Sequence, residues 1–193
     1  GYSFIAGGHL FQSNLAGWVL KISTSNGDVS WSKYYDFNNG PSEFTSIFPA
    51  PGNKLCLIGY DDINPRDMSL LYLLDTSGAC LSTRYFRFNT TSGQSYGGAL
   101  APNGDIIFAK QFYRTPASTS TLTLSRVHPA NGIIYSRDFT QIYLLPRIYQ
   151  TSIGADNSIF VIGNKSHTDG RFLPFLGRFS PGGTLGCAPV TNP

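Results

Sequence analysis

The sequence predicts an all-β chain assembled from one antiparallel unit that recurs about every 50 residues. Only 13% of the 193 residues are charged, about half of the ~25% found in typical soluble domains. The chain also holds 14 Phe, 11 Tyr, 21 Gly and 12 Pro, which are residues of strands and tight turns. This composition excludes a helical bundle and a disordered chain.

Two apolar strands and a glycine turn recur four times along the chain. We name the strands of each unit A to D. Strand B is predicted at residues 4–7, 55–59, 106–109 and 159–163. Strand C is predicted at residues 19–22, 71–74, 122–124 and 175–179. Strand C leads into a turn at Gly27, Gly78, Gly132 and Gly183, which are 51, 54 and 51 residues apart, and such regular spacing indicates a repeat architecture.

A further short segment precedes strand B in the later units and is predicted to be strand A, at residues 43–47, 95–100 and 149–153. Strand D follows the glycine turn. Four antiparallel strands in each unit predict β-propeller blades, at about residues 1–40, 41–91, 92–147 and 148–193. Because the first unit begins at strand B, we expect three full blades and three strands of a fourth. They would form a single domain, residues 1–193, that is a segment of a larger propeller.

One stretch resembles a known family. The run from Leu20 to Tyr35, with its Asn26-Gly27 turn and Trp31-Ser32-Lys33, is similar to the blade repeats of bacterial secreted and cell-surface β-propellers. The later units depart from it, because residues 81–84 and 135–137 replace the tryptophan run. The resemblance implies the propeller fold and a secreted or cell-surface location. It does not imply one function, since propellers host many.

The connections between strands predict which end of the blades binds a ligand. The A–B and C–D turns are short, whereas the B–C and D–A loops are long and irregular, and long loops on a rigid scaffold are where binding usually resides. We call the end that carries the long loops the loop face. The candidate binding residues there are Phe11, Tyr60, Asp61, Asp62, Phe112, Tyr113, His167 and Phe172. Their rings are suited to stacking on sugars.

The motifs predict a non-catalytic module that binds or scaffolds, with a protein partner or a surface glycan, within a larger surface assembly. No G-x-S-x-G, H-E-x-x-H or phosphate-binding loop occurs. One alternative is a carbohydrate-active or other hydrolytic propeller, in which Glu43, Asp61 and Asp62 converge across blades. Another is a quinoprotein-like redox propeller, suggested by Gly27-Asp28 and Trp31.

Several partners and cofactors are not expected. A net charge of +3 is too small for a surface that neutralises nucleic-acid phosphates. No run of 18 apolar residues predicts a transmembrane helix. Cys56, Cys80 and Cys187 lack metal-ligand spacing, so we expect no metal site and no cofactor.

Overall fold

The computed structural model describes residues 1–11, 14–35, 42–61, 68–87, 93–114, 119–129, 131–139, 147–166 and 171–186. All regular structure in these ranges is β-strand. Within them, no helix has the length and apolar character needed to span a membrane. The prediction of an all-β fold made of antiparallel propeller blades is confirmed.

The strands form four sheets, which we number as blades in chain order. Blade 1 consists of β1 (Tyr2–Phe11), β2 (Asn14–Ser23) and β3 (Val29–Tyr35). Blade 2 consists of β4 (Ser42–Ala50), β5 (Lys54–Asp61), β6 (Met68–Asp75) and β7 (Cys80–Arg87). Blade 3 consists of β8 (Gly93–Leu100), β9 (Ile106–Arg114), β10 (Thr119–His128) and β11 (Gly132–Phe139). Blade 4 consists of β12 (Arg147–Ile153), β13 (Ile159–Ser166) and β14 (Phe172–Phe179).

The described residues give two four-stranded sheets and two three-stranded sheets. Most of the segment predicted to be strand D of blade 4, residues 187–193, lies outside the described residues. Just before it, Phe179 and Leu185 form a single antiparallel bridge.

The turns follow the predicted pattern. Gly27, Gly78, Gly132 and Gly183 all have φ between 76° and 93°. A non-glycine residue rarely adopts this left-handed conformation, so these positions explain the regular glycine spacing of the sequence.

The chain divides into two compact units, Gly1–Asn89 and Thr90–Pro193, which hold blades 1 and 2 and blades 3 and 4. In unit 1, the core joins Val19 of blade 1 to Phe44, Leu57 and Tyr72 of blade 2. In unit 2, the core joins two facing sheets. Blade 3 supplies its front face (Ile107, Ala109, Leu122 and Leu124), and blade 4 supplies Ile148, Ile159, Val161, Phe175 and Phe179.

Hydrogen bonds fasten neighbouring blades within each unit. In unit 1, Lys21 and Trp31 of blade 1 donate to the backbone oxygen of Thr76 in the C–D turn of blade 2, at 3.1 and 3.3 Å. Tyr35 donates to the oxygen of Gly78 at 2.8 Å. Burial raises the pKa of Tyr35 to about 12, so its hydroxyl keeps the proton that it donates. We call this set of bonds the turn latch.

Unit 2 contains the same latch built from other residues. Arg126 and Tyr135 of blade 3 donate to the backbone oxygen of Pro181 in blade 4, at 3.1 and 3.3 Å. In blade 3, Arg126 on β10 lies opposite Tyr135 on β11. In blade 1, Lys21 on β2 lies opposite Trp31 on β3 in the same way. The latch therefore occupies equivalent repeat positions in both units.

Candidate functional site

The loop-face ends of strands A and B have the same construction in blades 2, 3 and 4. At this end, Glu43 pairs with Tyr60, Gln94 with Gln111, and Arg147 with Asn164. One step further along, a β-bulge interrupts each A–B pair, between Phe44 and Ser46, Ser95 and Gly97, and Ile148 and Gln150. Bulges commonly occur next to functional sites, where they redirect a side chain.

In unit 2, Gln111 is buried with its hydrogen-bonding capacity unused. Its side chain is 1% exposed, and no described residue forms a hydrogen bond with its amide oxygen or its amide nitrogen. Gln111 is two residues beyond Ala109 and four beyond Ile107 on β9, so its side chain lies on the same face of the strand. It therefore extends the front face of blade 3 towards the loop face. Leaving such an amide unpaired costs about 1–3 kcal/mol, so its burial requires an explanation.

A second unused group faces the same layer from blade 4. The Thr151 side chain on β12 is buried, and its Oγ1 has no hydrogen-bond partner in the part of the chain that the structure describes. Thr151 pairs with Val161, a residue of the core between blades 3 and 4. Gly97 of blade 3 lies against it, because a Cβ atom there would stand 3.0 Å from Thr151 Oγ1. This close approach of β8 and β12 fixes Thr151 in place.

Asn164 occupies the repeat position of Gln111 but has a different environment. It lies on the same side of β13 as Phe160 and Ile162, whereas Ile159 and Val161, on the other side, face blade 3. Asn164 therefore points away from the layer between blades 3 and 4. Its amide nitrogen donates to the Tyr149 hydroxyl at 2.8 Å, while its buried amide oxygen has no partner among the described residues. Tyr149 is the bulge residue of β12.

In unit 1, the equivalent position carries a carboxylate and a phenol. The Tyr60 hydroxyl donates to Glu43 Oε2 at 2.8 Å. A Cβ atom at Gly8 of blade 1 would lie 2.8 Å from Cγ of Glu43, so the glycine leaves room for this side chain. Glu43 is one of the carboxylates proposed from the sequence.

The structure places only some of the predicted binding residues. Tyr60 is half-buried and holds Glu43, while Phe172 is exposed at the start of β14. Four of the others lie in strands whose backbone is described while their side chains are not: Phe11, Asp61, Phe112 and Tyr113. The last two, Asp62 and His167, lie outside the described residues. Among the described residues, no group of three or more His, Cys, Asp or Glu side chains is arranged to hold a metal ion.

Sequence reasoning did not identify Gln111 or Thr151. Neither belongs to a motif, and both lie within strands rather than in loops. A signal was present in the repeat, since Tyr60, Gln111 and Asn164 occupy the same repeat position, opposite the start of strand A. A polar or phenolic side chain at this repeated position marks the strand end that the blades have in common.

Comparisons with known proteins give two solved structures to report. A gluconolactonase from Xanthomonas campestris is 11% identical, with a TM-score of 0.47, and the match covers 90% of this chain and 60% of that one. A glucose dehydrogenase is 9% identical, with a TM-score of 0.32, and the match covers 93% and 95% of the two chains. No family model and no curated protein matches the sequence.

These comparisons correct the predicted function. The sequence predicted a non-catalytic binding or scaffolding module and no enzyme, because no catalytic motif was found. Both matched structures are named as enzymes, so the prediction of a non-catalytic scaffold is wrong. A motif search detects residues that are close in sequence, whereas a propeller draws its site residues from separate blades.

Proposed function

We propose that this chain is part of a carbohydrate-active propeller whose unit 2 binds a sugar or sugar lactone at the layer between blades 3 and 4. The observation that carries the proposal is Gln111, a buried amide with two unused hydrogen-bonding atoms. An unpaired buried amide lowers stability, and proteins keep such a group where a polar ligand forms the hydrogen bonds that the protein does not.

The chemistry of the unused groups favours a polyhydroxylated ligand. An amide offers one donor group and one acceptor, and a hydroxyl offers both. A sugar hydroxyl likewise donates and accepts, so Gln111 and Thr151 can each be paired by such a ligand. Neither group carries a charge, which favours a neutral sugar over a phosphorylated one.

The test is a calorimetric titration of the chain with glucose and with glucono-lactone. We expect binding to the wild type and, for Gln111→Leu, at least a tenfold weaker affinity, which corresponds to about 1.4 kcal/mol. Asn164→Leu is the matched control, since Asn164 has the same repeat position but points away from the layer, and its affinity should equal the wild type's. Equal affinity of Gln111→Leu and the wild type would contradict the proposal, as would the absence of binding by the wild type.

The resemblance to bacterial surface repeats, the secreted or cell-surface location that it implies, and the surface-glycan partner stay predictions. A glycan terminating in neutral hexose is the form of that partner that agrees with the proposed ligand. Fractionation of cells that express the parent gene would test the location directly.

A further inference from the structure

At Gly97 on β8, the backbone of blade 3 lies directly against the backbone of blade 4. A Cβ atom there would stand 2.8 Å from the backbone nitrogen of Thr151 and 3.0 Å from the carbonyl carbon of Gln150. These distances are shorter than ordinary contacts between heavy atoms. Because backbone atoms cannot rotate aside as a side chain can, any side chain at residue 97 would push β12 away from β8.

The same contact holds one of the two polar groups that face the layer between blades 3 and 4. The Cβ atom added at Gly97 would also stand 3.0 Å from Thr151 Oγ1. Thr151 is 3% exposed, and its hydroxyl has no hydrogen-bond partner among the described residues. Since a β-branched side chain is stiff about χ1, the backbone of β12 sets the place of this hydroxyl. Gly97 therefore determines how closely Thr151 approaches blade 3.

The second polar group, the Gln111 amide, lies diagonally across from Gly97 on the same sheet. Gly97 pairs with Ala109, and Gln111 is two residues further along β9, on the same face of the strand. Diagonal neighbours of this kind are about 7–8 Å apart. The Gln111 amide comes from blade 3 and the Thr151 hydroxyl from blade 4, so one sugar ring between them can contact both.

We infer that Gly97 positions Thr151 so that Thr151 and Gln111 bind two different hydroxyl groups of one sugar, an inference that rests on the function proposed above. The ligand is then a monosaccharide in which both hydroxyls are free. A deoxy sugar that lacks either hydroxyl binds more weakly, because its protein partner stays buried without a hydrogen bond. In this account Gly97 is a positioning residue, since it acts through Thr151.

Calorimetric titration with glucose and with each of its monodeoxy analogues tests the roles of Thr151 and Gln111. We expect Thr151→Val and Gln111→Leu each to weaken glucose binding about tenfold. One analogue lacks the hydroxyl that Thr151 binds, so Thr151→Val should not weaken its binding further. For Gln111→Leu, the analogue that shows no further loss should be a different one. Thr151→Ser keeps the hydroxyl and should keep the wild-type order of affinities.

Gly97→Ala distinguishes a positioning residue from a structural one. This variant should weaken glucose binding but leave unchanged the affinity for the analogue that Thr151→Val identifies, whereas a general distortion would weaken every sugar. Gly154→Ala is the matched control at the A–B turn of blade 4, because a Cβ atom there would also stand 3.0 Å from its neighbours. It should bind each sugar as the wild type does. Urea midpoints show which variants are folded, and Thr151→Val with Thr151→Ser suffices if Gly97→Ala is not.

The outcomes for the wild type and for the variants have separate meanings. A wild type that binds neither glucose nor glucono-lactone would overturn the proposed function, and the role of Gly97 with it. A wild type that binds, together with equal losses for every sugar in Gly97→Ala, would overturn the role of Gly97 alone. A single analogue that shows no further loss with either Thr151→Val or Gln111→Leu would refute the assignment of two different hydroxyls.

Discussion

The two units achieve the same latch with different side chains. In unit 1, Lys21 and Trp31 donate to the oxygen of Thr76, whereas in unit 2, Arg126 and Tyr135 donate to the oxygen of Pro181. The acceptor is a backbone carbonyl in both cases, so any donor of suitable length and position serves. This explains how strand D departs from the tryptophan run in the later units while the geometry stays the same.

Within strand B, blade 3 differs from blades 2 and 4 at one repeat position. Gly59 of blade 2 and Gly163 of blade 4 occupy the position that Lys110 occupies in blade 3. Lys110 is 0% exposed, and it lies in a row with Thr123 and Asp138, where the Thr123 hydroxyl donates to Asp138. In blade 2, the backbone of Glu43 leaves no room for a side chain at this position. In blade 3, the position instead holds a lysine that lies beside two polar side chains.

The largest expected effect concerns this position in unit 1. A Cβ atom at Gly59 would collide with the backbone oxygen of Glu43, whereas Gly7, at the same position of blade 1, has open space because β1 is the edge of its sheet. We expect Gly59→Ala to lower the free energy of unfolding by about 4 kcal/mol and Gly7→Ala to change it by less than about 0.5 kcal/mol. Urea unfolding measures both, and equal losses would refute the assigned strand pairing.

A smaller effect distinguishes the two latches. Arg126 forms an ion pair with the buried carboxylate of Asp105 at 2.7 Å. Because Arg126→Ala leaves that carboxylate buried without its cation, we expect the free energy of unfolding to fall by about 3 kcal/mol. Lys21 makes a solvent-exposed bond and lies 4.0 Å from the ring centroid of Tyr2. Its removal should cost less than about 1 kcal/mol. The comparison would fail if Lys21→Ala destabilised the chain as much as Arg126→Ala does.

The smallest effect is a pH dependence in the turns. Hydrogen bonds from Ser158, and the Arg178 guanidinium, lower the pKa of Asp156 from 3.8 to about 2. A lowered pKa contributes stability that is present above about pH 4 and is lost as the pH falls through about 2. Ser158→Ala should move this pKa upward in an NMR titration. In unit 1, Ser77 lowers the pKa of Asp75 in the same way, so Ser77→Ala is the parallel variant, and a wild-type Asp156 that titrates near 3.8 would contradict this account.

Local backbone requirements were readable from the sequence. The spacing of Gly27, Gly78, Gly132 and Gly183 predicted four turns, and all four have positive φ. The strands follow because apolar runs flank each turn. The bulges were not predicted, since one extra residue in strand A changes the pairing without changing the composition of the strand.

The candidate site was beyond the reach of sequence patterns for a physical reason. Gln111 is notable because it is buried and no described residue pairs with its amide, and burial between blades depends on packing rather than on neighbouring residues in the chain. The predicted ring and carboxylate residues were chosen for their loops instead. Of these, Tyr60 and Glu43 have described side chains at the repeated strand end, where the Tyr60 hydroxyl donates to Glu43.

We propose that the buried Gln111 amide forms hydrogen bonds with a bound sugar. The most direct test is the side-chain NH₂ signal of Gln111 in a ¹⁵N NMR spectrum. Loss of the signal in Gln111→Leu assigns it. During titration with glucono-lactone or glucose, we predict a saturable shift of this signal, while the NH₂ signal of Asn164, which donates to Tyr149, stays in place. A Gln111 signal that does not move at saturating sugar, or that moves no more than that of Asn164, would contradict the account.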